Sequence, residues 1–150
     1  MIIGEGPLES ELKQLAVSLG IAGQVQFTGR LRNPYSVMSA CDCFVMSSDY
    51  EGQPIVILEA RVLGLPIVTT RFGSVESAME GSGGLIVDTD EDALAEGLRK
   101  FLDGQIRARA FDGDDYNRAV MKEFVEVVFG TSEETAGEES PVTRPLTSTS

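Results

Sequence analysis

The chain has 150 residues, a length at which one domain buries roughly 70% of the surface its unfolded form exposes, and its 42% hydrophobic and 24% charged content is that of a globular protein. Its 24 acidic against 12 basic residues give a net charge of −12 with no Lys/Arg-rich run, which argues against a nucleic-acid footprint. No apolar run reaches membrane-spanning length and the amino terminus lacks a signal-peptide layout, so the expectation is a cytoplasmic protein, with a membrane-peripheral position left open.

In chain order, Met1 to Ile3 reads as the stub of an apolar strand, and Gly4-Glu5-Gly6-Pro7 as a turn. Leu8, Leu12, Leu15 and Leu19 then recur at helical spacing, with Gly20 as the stop. Val25 to Thr28 reads as a strand before Gly29, and Asn33-Pro34 as a helix cap followed by proline, predicting a short helix to about Cys41. Asp42 to Ser47 holds C-F-V-M, an apolar run suited to a covered strand, with Cys41 and Cys43 expected as core thiols. Ser48 to Gln53 is the loop after it.

From Pro54 the residues I-V-I-L-E-A-R-V-L-G are apolar nearly all round, which predicts a buried helix ended by Gly64. Leu65 to Thr70 is the next strand, a short helix lies near Glu76 to Glu80, and Leu85 to Val87 is a further strand. Thr89-Asp90-Glu91-Asp92 caps a helix carrying Leu94, Leu98, Phe101 and Leu102 on one face. Tyr116, Val120, Phe124 and Val127 predict a last helix, with Asp114 or Asp115 at its cap. Alternating strands and helices joined by short connections predict an α/β domain over residues 1–130 with a doubly wound parallel sheet, and the Ser/Thr/Glu/Pro-rich residues 131–150 predict a disordered tail.

The chain has no histidine, which removes the usual general base and the commonest zinc ligand, so chemistry must rest on carboxylates, amides, Arg/Lys or the substrate. No metal or other cofactor is expected. Ligands of an open parallel sheet bind outside the carboxyl ends of its strands, where the loops at Gly4, at Gly29-Arg30, from Ser47 to Gln53 and from Thr69 to Ser74 emerge. Gly4-Glu5-Gly6 lacks the third glycine of a dinucleotide fingerprint, since Glu9 stands there. Arg30, Arg32 and Arg71 could meet phosphate, although surface arginines are more often only solvated.

Glu59 is a lone carboxylate on an apolar helix and needs a partner, because burying an unpaired charge is costly. Arg61, two residues on, projects from a different face and suits it poorly. A ligand hydroxyl pair or a donor from another element would serve. Glu51 lies in the loop before the helix, so the two acids can bracket one extended ligand. Between them, the first helix amides from about Gln53 to Val56, other than proline's, favour an anion such as a diphosphate.

The segment E-G-Q-P-I-V-I-L-E resembles the E-x7-E motif of retaining glycosyltransferases of the two-domain GT-B fold, family 4 type, in their carboxyl-terminal donor-binding domain. The opening I-I-G-E-G-P, V-x-F-x-G at Val25 to Gly29, D-x-F-V-x-x-S, G-L-P-I-V-T-T and G-G-L-I-V-D-T-D resemble that family in order and spacing. The resemblance covers Met1 to about Leu102. It implies a Rossmann-like half-fold and a nucleotide-diphosphate sugar donor for a hexosyl transfer. Glu51 would act on the sugar as the catalytic-site carboxylate, Glu59 would bind the ribose, and Gly52, Gln53, Pro54 and Ile55 the diphosphate region. Gly4, Gly29, Arg30 and Ser48 are weaker donor-site candidates.

Members of that family begin this domain with a further strand and helix carrying a basic pair, and bind the acceptor on a separate amino-terminal domain. This sequence starts inside the second strand, so both parts are expected to be missing, and with them turnover by the chain alone. A glycan, lipid or polyol-phosphate polymer acceptor would bind through that missing domain. The alternative is a non-enzymatic module of the same fold that binds a nucleotide or a protein partner, helped by a sheet edge left open.

Overall fold

A computed structural model describes residues 1–129; the tail expected over 131–150 lies outside the described residues. In chain order the elements are α1 (Glu9–Ser18), α2 (Tyr35–Met38), β1 (Phe44–Met46), α3 (Ile55–Val62), β2 (Ile67–Thr70), α4 (Val75–Met79), β3 (Leu85–Val87), α5 (Glu91–Leu102) and α6 (Gly113–Phe129). They divide into two units, one from Met1 to Phe111 and one that begins at Asp112 and carries α6.

The first unit is an α/β layer structure built on a three-stranded parallel sheet in the order β1-β2-β3. Phe44 pairs with Ile67, Met46 with Thr69, and Thr69 with Ile86. Because side chains alternate across a strand, Ile67 and Val68 point to opposite faces. On one face Met46, Ile57, Ala60, Ile67, Val75 and Met79 form the buried cluster under α3 and α4, with Phe44 and Ile86 packed against it. On the other, α5 lies over β2 and β3, and a Cβ added at Gly97 would stand 2.9 Å from Val68 and 3.0 Å from Val87. Only a residue without a side chain lets α5 come that close.

Local chemistry sets the helix ends. The Asp90 carboxylate accepts the Ala93 amide at 2.7 Å and caps α5 as expected. Gly64 follows α3 with φ of 70°, the left-handed turn that suits glycine after a helix, before Pro66 leads the chain into β2. Asn33 also acts at a helix start, its side-chain oxygen accepting the Tyr35 amide at 3.1 Å ahead of α2.

Four expectations change. The strands at Met1 to Ile3 and Val25 to Thr28 are reduced to isolated bridges, Ile2 with Phe27 and Gly4 with Gly29, because only a few backbone hydrogen bonds join these runs. α3 is buried on one side only: Ile57 and Ala60 are inaccessible, whereas Ile55 and Val62 are exposed. Cys41 and Cys43 are half-buried rather than sealed in the core, and desolvation raises the Cys43 thiol pKa. The cap of α6 is Asp112, not Asp114 or Asp115; its carboxylate accepts the amides of both at 2.9 and 3.1 Å, and these bonds hold it below the usual carboxylate range.

Candidate functional site

The site is built where β1 and β2 end. Thr70, the last residue of β2, is 3% exposed, and its hydroxyl donates to the Ser48 carbonyl at 2.6 Å. That bond fastens the backbone of the loop after β1 to the neighbouring strand. The Ser48 hydroxyl in turn donates to Glu51 Oε1 at 2.9 Å, and Ser74, just before α4, reaches the Glu51 carbonyl at 3.5 Å. Glu51 is therefore held at side chain and main chain by residues from two separate loops.

Beyond Glu51 the chain passes Gly52 and Gln53, both exposed, and the buried Pro54 into α3. The Ile55 amide donates to the Gln53 carbonyl and the Ile57 amide to that of Pro54, each at 2.9 Å. Among the described residues, Gly52, Gln53 and Val56 keep amides that no protein acceptor takes, so these are the donors open to an anion at this helix start.

Glu59, one turn into α3, is half-buried, and the partner it required is the Tyr35 phenol, which donates to Oε1 at 2.8 Å. The hydrogen bond to Glu59 raises the Tyr35 pKa, with the carboxylate's charge adding to the effect. Arg61 is directed elsewhere, donating to the carbonyls of Ala78 and Glu80 and stacking over Phe111 at 4.0 Å.

The weaker candidates form a second group. The Gly4 amide donates to the Gly29 carbonyl at 3.0 Å, and the Arg30 amide lies 3.4 Å from a Glu5 carboxylate oxygen. Arg71 pairs with Glu76 and approaches Asp88 at 3.9 Å, so its charge is met by protein carboxylates. Among the described residues, no hydrogen bond or ion pair joins the Gly4–Gly29 group to the Ser48–Glu51 group. Tyr35 carried no role in the sequence, and Thr70 and Ser74 entered only as part of the loop from Thr69 to Ser74. The signals were a hydroxyl ending an apolar strand at Thr70 and an aromatic after Asn33-Pro34, and neither names its partner, which lies 22 to 24 residues away.

Residues 1–118 match the family described as glycosyl transferases group 1. The chain is similar to the lipopolysaccharide core biosynthesis glycosyltransferase LpsE of Rhizobium meliloti, at 35% identity over 72% of this chain and 33% of that protein. It is likewise similar to the GDP-mannose-dependent monoacylated alpha-(1-6)-phosphatidylinositol monomannoside mannosyltransferase of Corynebacterium glutamicum, at 34% identity over 73% of this chain and 31% of that protein. Among solved structures, the lipopolysaccharide outer core galactosyltransferase WaaB superposes with a TM-score of 0.65 at 21% identity, over 81% of this chain and 40% of that one. The chain thus spans about a third of the length of these two curated relatives.

Proposed function

Since the chain belongs to the glycosyl transferases group 1 family, we propose that it is the donor-binding half of a retaining, family 4 type hexosyltransferase that uses a nucleotide-diphosphate sugar. The observation that carries this reading is the geometry from Ser48 to Glu59. A carboxylate held by Ser48 stands ahead of a helix start with open amides, and a second carboxylate held by Tyr35 stands one turn inside it. In this reading Glu51 meets the sugar and is the catalytic-site carboxylate. The segment Gly52, Gln53, Pro54 and Ile55 lines the diphosphate region, where the open amides of Gly52, Gln53 and Val56 are the donors and Ile55's own amide contributes only if it leaves the Gln53 carbonyl, and Glu59 takes the ribose hydroxyls. Gly4, Gly29, Arg30 and Ser48 frame the remainder.

The acceptor, a glycan, lipid or polyol-phosphate polymer, would be bound by residues outside these 150, and the isolated chain would bind donor without transferring it. Positioning of the acceptor and exclusion of water supply much of the rate in group transfer, and both require the other side of a cleft. The relatives named above act on lipopolysaccharide core and on a phosphatidylinositol mannoside, which supports a cytoplasmic, membrane-peripheral place for this chain's activity. Among the described residues no helix is long and apolar enough to cross a membrane.

Calorimetric titration of the chain with UDP, GDP and their hexose conjugates tests the reading. One nucleotide series should bind, and Glu59→Ala should weaken it about tenfold to a hundredfold, as expected for hydrogen bonds to a charged group. No heat with any nucleotide would sink the donor site. Binding without transfer when an acceptor-binding half is supplied in trans would favour the alternative, a non-enzymatic nucleotide-binding module.

A further inference from the structure

We propose that Tyr35 is a positioning residue for the nucleoside end of this site: its phenol fixes Glu59 so that the second carboxylate oxygen meets the ribose diol, giving preference for ribose over 2′-deoxyribose. The inference rests on the donor-site reading above.

The hydrogen bond from Tyr35 to Glu59 Oε1 spans 24 residues and joins α2 to α3. Both helices are anchored in the same core, α2 by Met38 and α3 by Ile57 and Ala60, so their separation is set by packing rather than by the bond itself. The phenol is aimed locally as well: Asn33 accepts the Tyr35 amide and Pro34 restricts the backbone between them. Tyr35 is 46% exposed, and its hydroxyl therefore adds little to the fold. What it does is hold one oxygen of a long, rotatable side chain at a defined place.

A carboxylate has about four acceptor positions over two oxygens, and among the described residues the one hydrogen bond to Glu59's side chain is the phenol's, on Oε1. Two vicinal hydroxyls need an acceptor at a fixed place and angle. A glutamate already immobilised loses less rotamer freedom when they arrive, which is the usual origin of affinity gained by preorganisation. Removing the 2′-hydroxyl removes one of the two donors, so a well-placed Glu59 discriminates and a loose one does not.

The test titrates the full chain, as wild type, Tyr35→Phe and Glu59→Gln, with UDP and GDP and with their 2′-deoxy counterparts, alongside thermal melting. Tyr35→Phe should stay folded with a melting point lowered by no more than about 5 °C, because water can reach half-buried Glu59 in place of the phenol; it should lose about tenfold for the ribonucleotide and change little for the 2′-deoxy form. Its ribose preference should thus fall to that of Glu59→Gln. An unchanged preference, a tighter ribonucleotide complex, or an equal loss for both sugars would each overturn the role of Tyr35, the last because a merely structural defect acts on both alike. If Glu59→Gln abolishes a preference that Tyr35→Phe keeps, only this inference fails. If the wild type binds no nucleotide at all, the donor-site reading fails with it.

Discussion

The amino-terminal helix, expected from leucines at helical spacing, and the helix after Pro54, expected from a run apolar nearly all round, meet opposite fates. Ile57 and Ala60 of α3 are fully inaccessible against the sheet. In α1, by contrast, Leu12 and Leu15 are 40% and 52% exposed, and the residue that is buried is Ala16. Periodicity states that a helix has an apolar face, but only neighbouring elements decide whether that face is covered. A ten-residue helix with its leucines in solvent is held by local hydrogen bonds, the burial of Ala16, Lys13 lying 5.6 Å over the Phe27 ring and the Glu9–Lys13 pair, whose exposed charges contribute little.

Substitutions can break or sharpen that contrast. Ile57→Ala should cost the most, about 2–5 kcal/mol, because it leaves a cavity in a packed cluster; chemical denaturation measures it. A cost near zero would mean that this core is loosely packed. Gly97→Val should follow at about 1–3 kcal/mol, since its side chain would intrude between Val68 and Val87; the same unfolding experiment applies. The smallest effect belongs to α1, where Leu15→Gln should change stability by no more than about 0.5 kcal/mol. A loss comparable to that of Ile57→Ala would show that the leucine face is covered in solution.

What was legible in the sequence follows the range of the interaction. The Asp90 cap, the Gly64 stop and the alternation of elements from β1 to α5 depend on residues a few positions apart, and each stands where the spacing put it. The strand expected at Val25 to Thr28 depended instead on a neighbour, and its pairing reaches no further than the bridges to Ile2 and Gly4. At the candidate site the need was legible and its fulfilment was not. Glu59 on an apolar helix announced a missing partner by the cost of an unpaired charge, yet nothing near it in sequence pointed to Tyr35. The cap of α6 shows the same limit at short range. The sequence offered Asp114 or Asp115 as the cap, and backbone geometry selects Asp112 instead.

The bond from Thr70 to the Ser48 carbonyl has a consequence for how this loop can change. A carbonyl is present whatever residue occupies the position, so the anchor makes no demand on the side chains that follow. Asp49 and Tyr50 stand exposed between the anchored Ser48 and the tethered Glu51, Tyr50 at 84%. Attachment and composition are separated there: mutation can vary the surface offered beside Glu51 while the buried hydroxyl keeps the loop in register with the sheet.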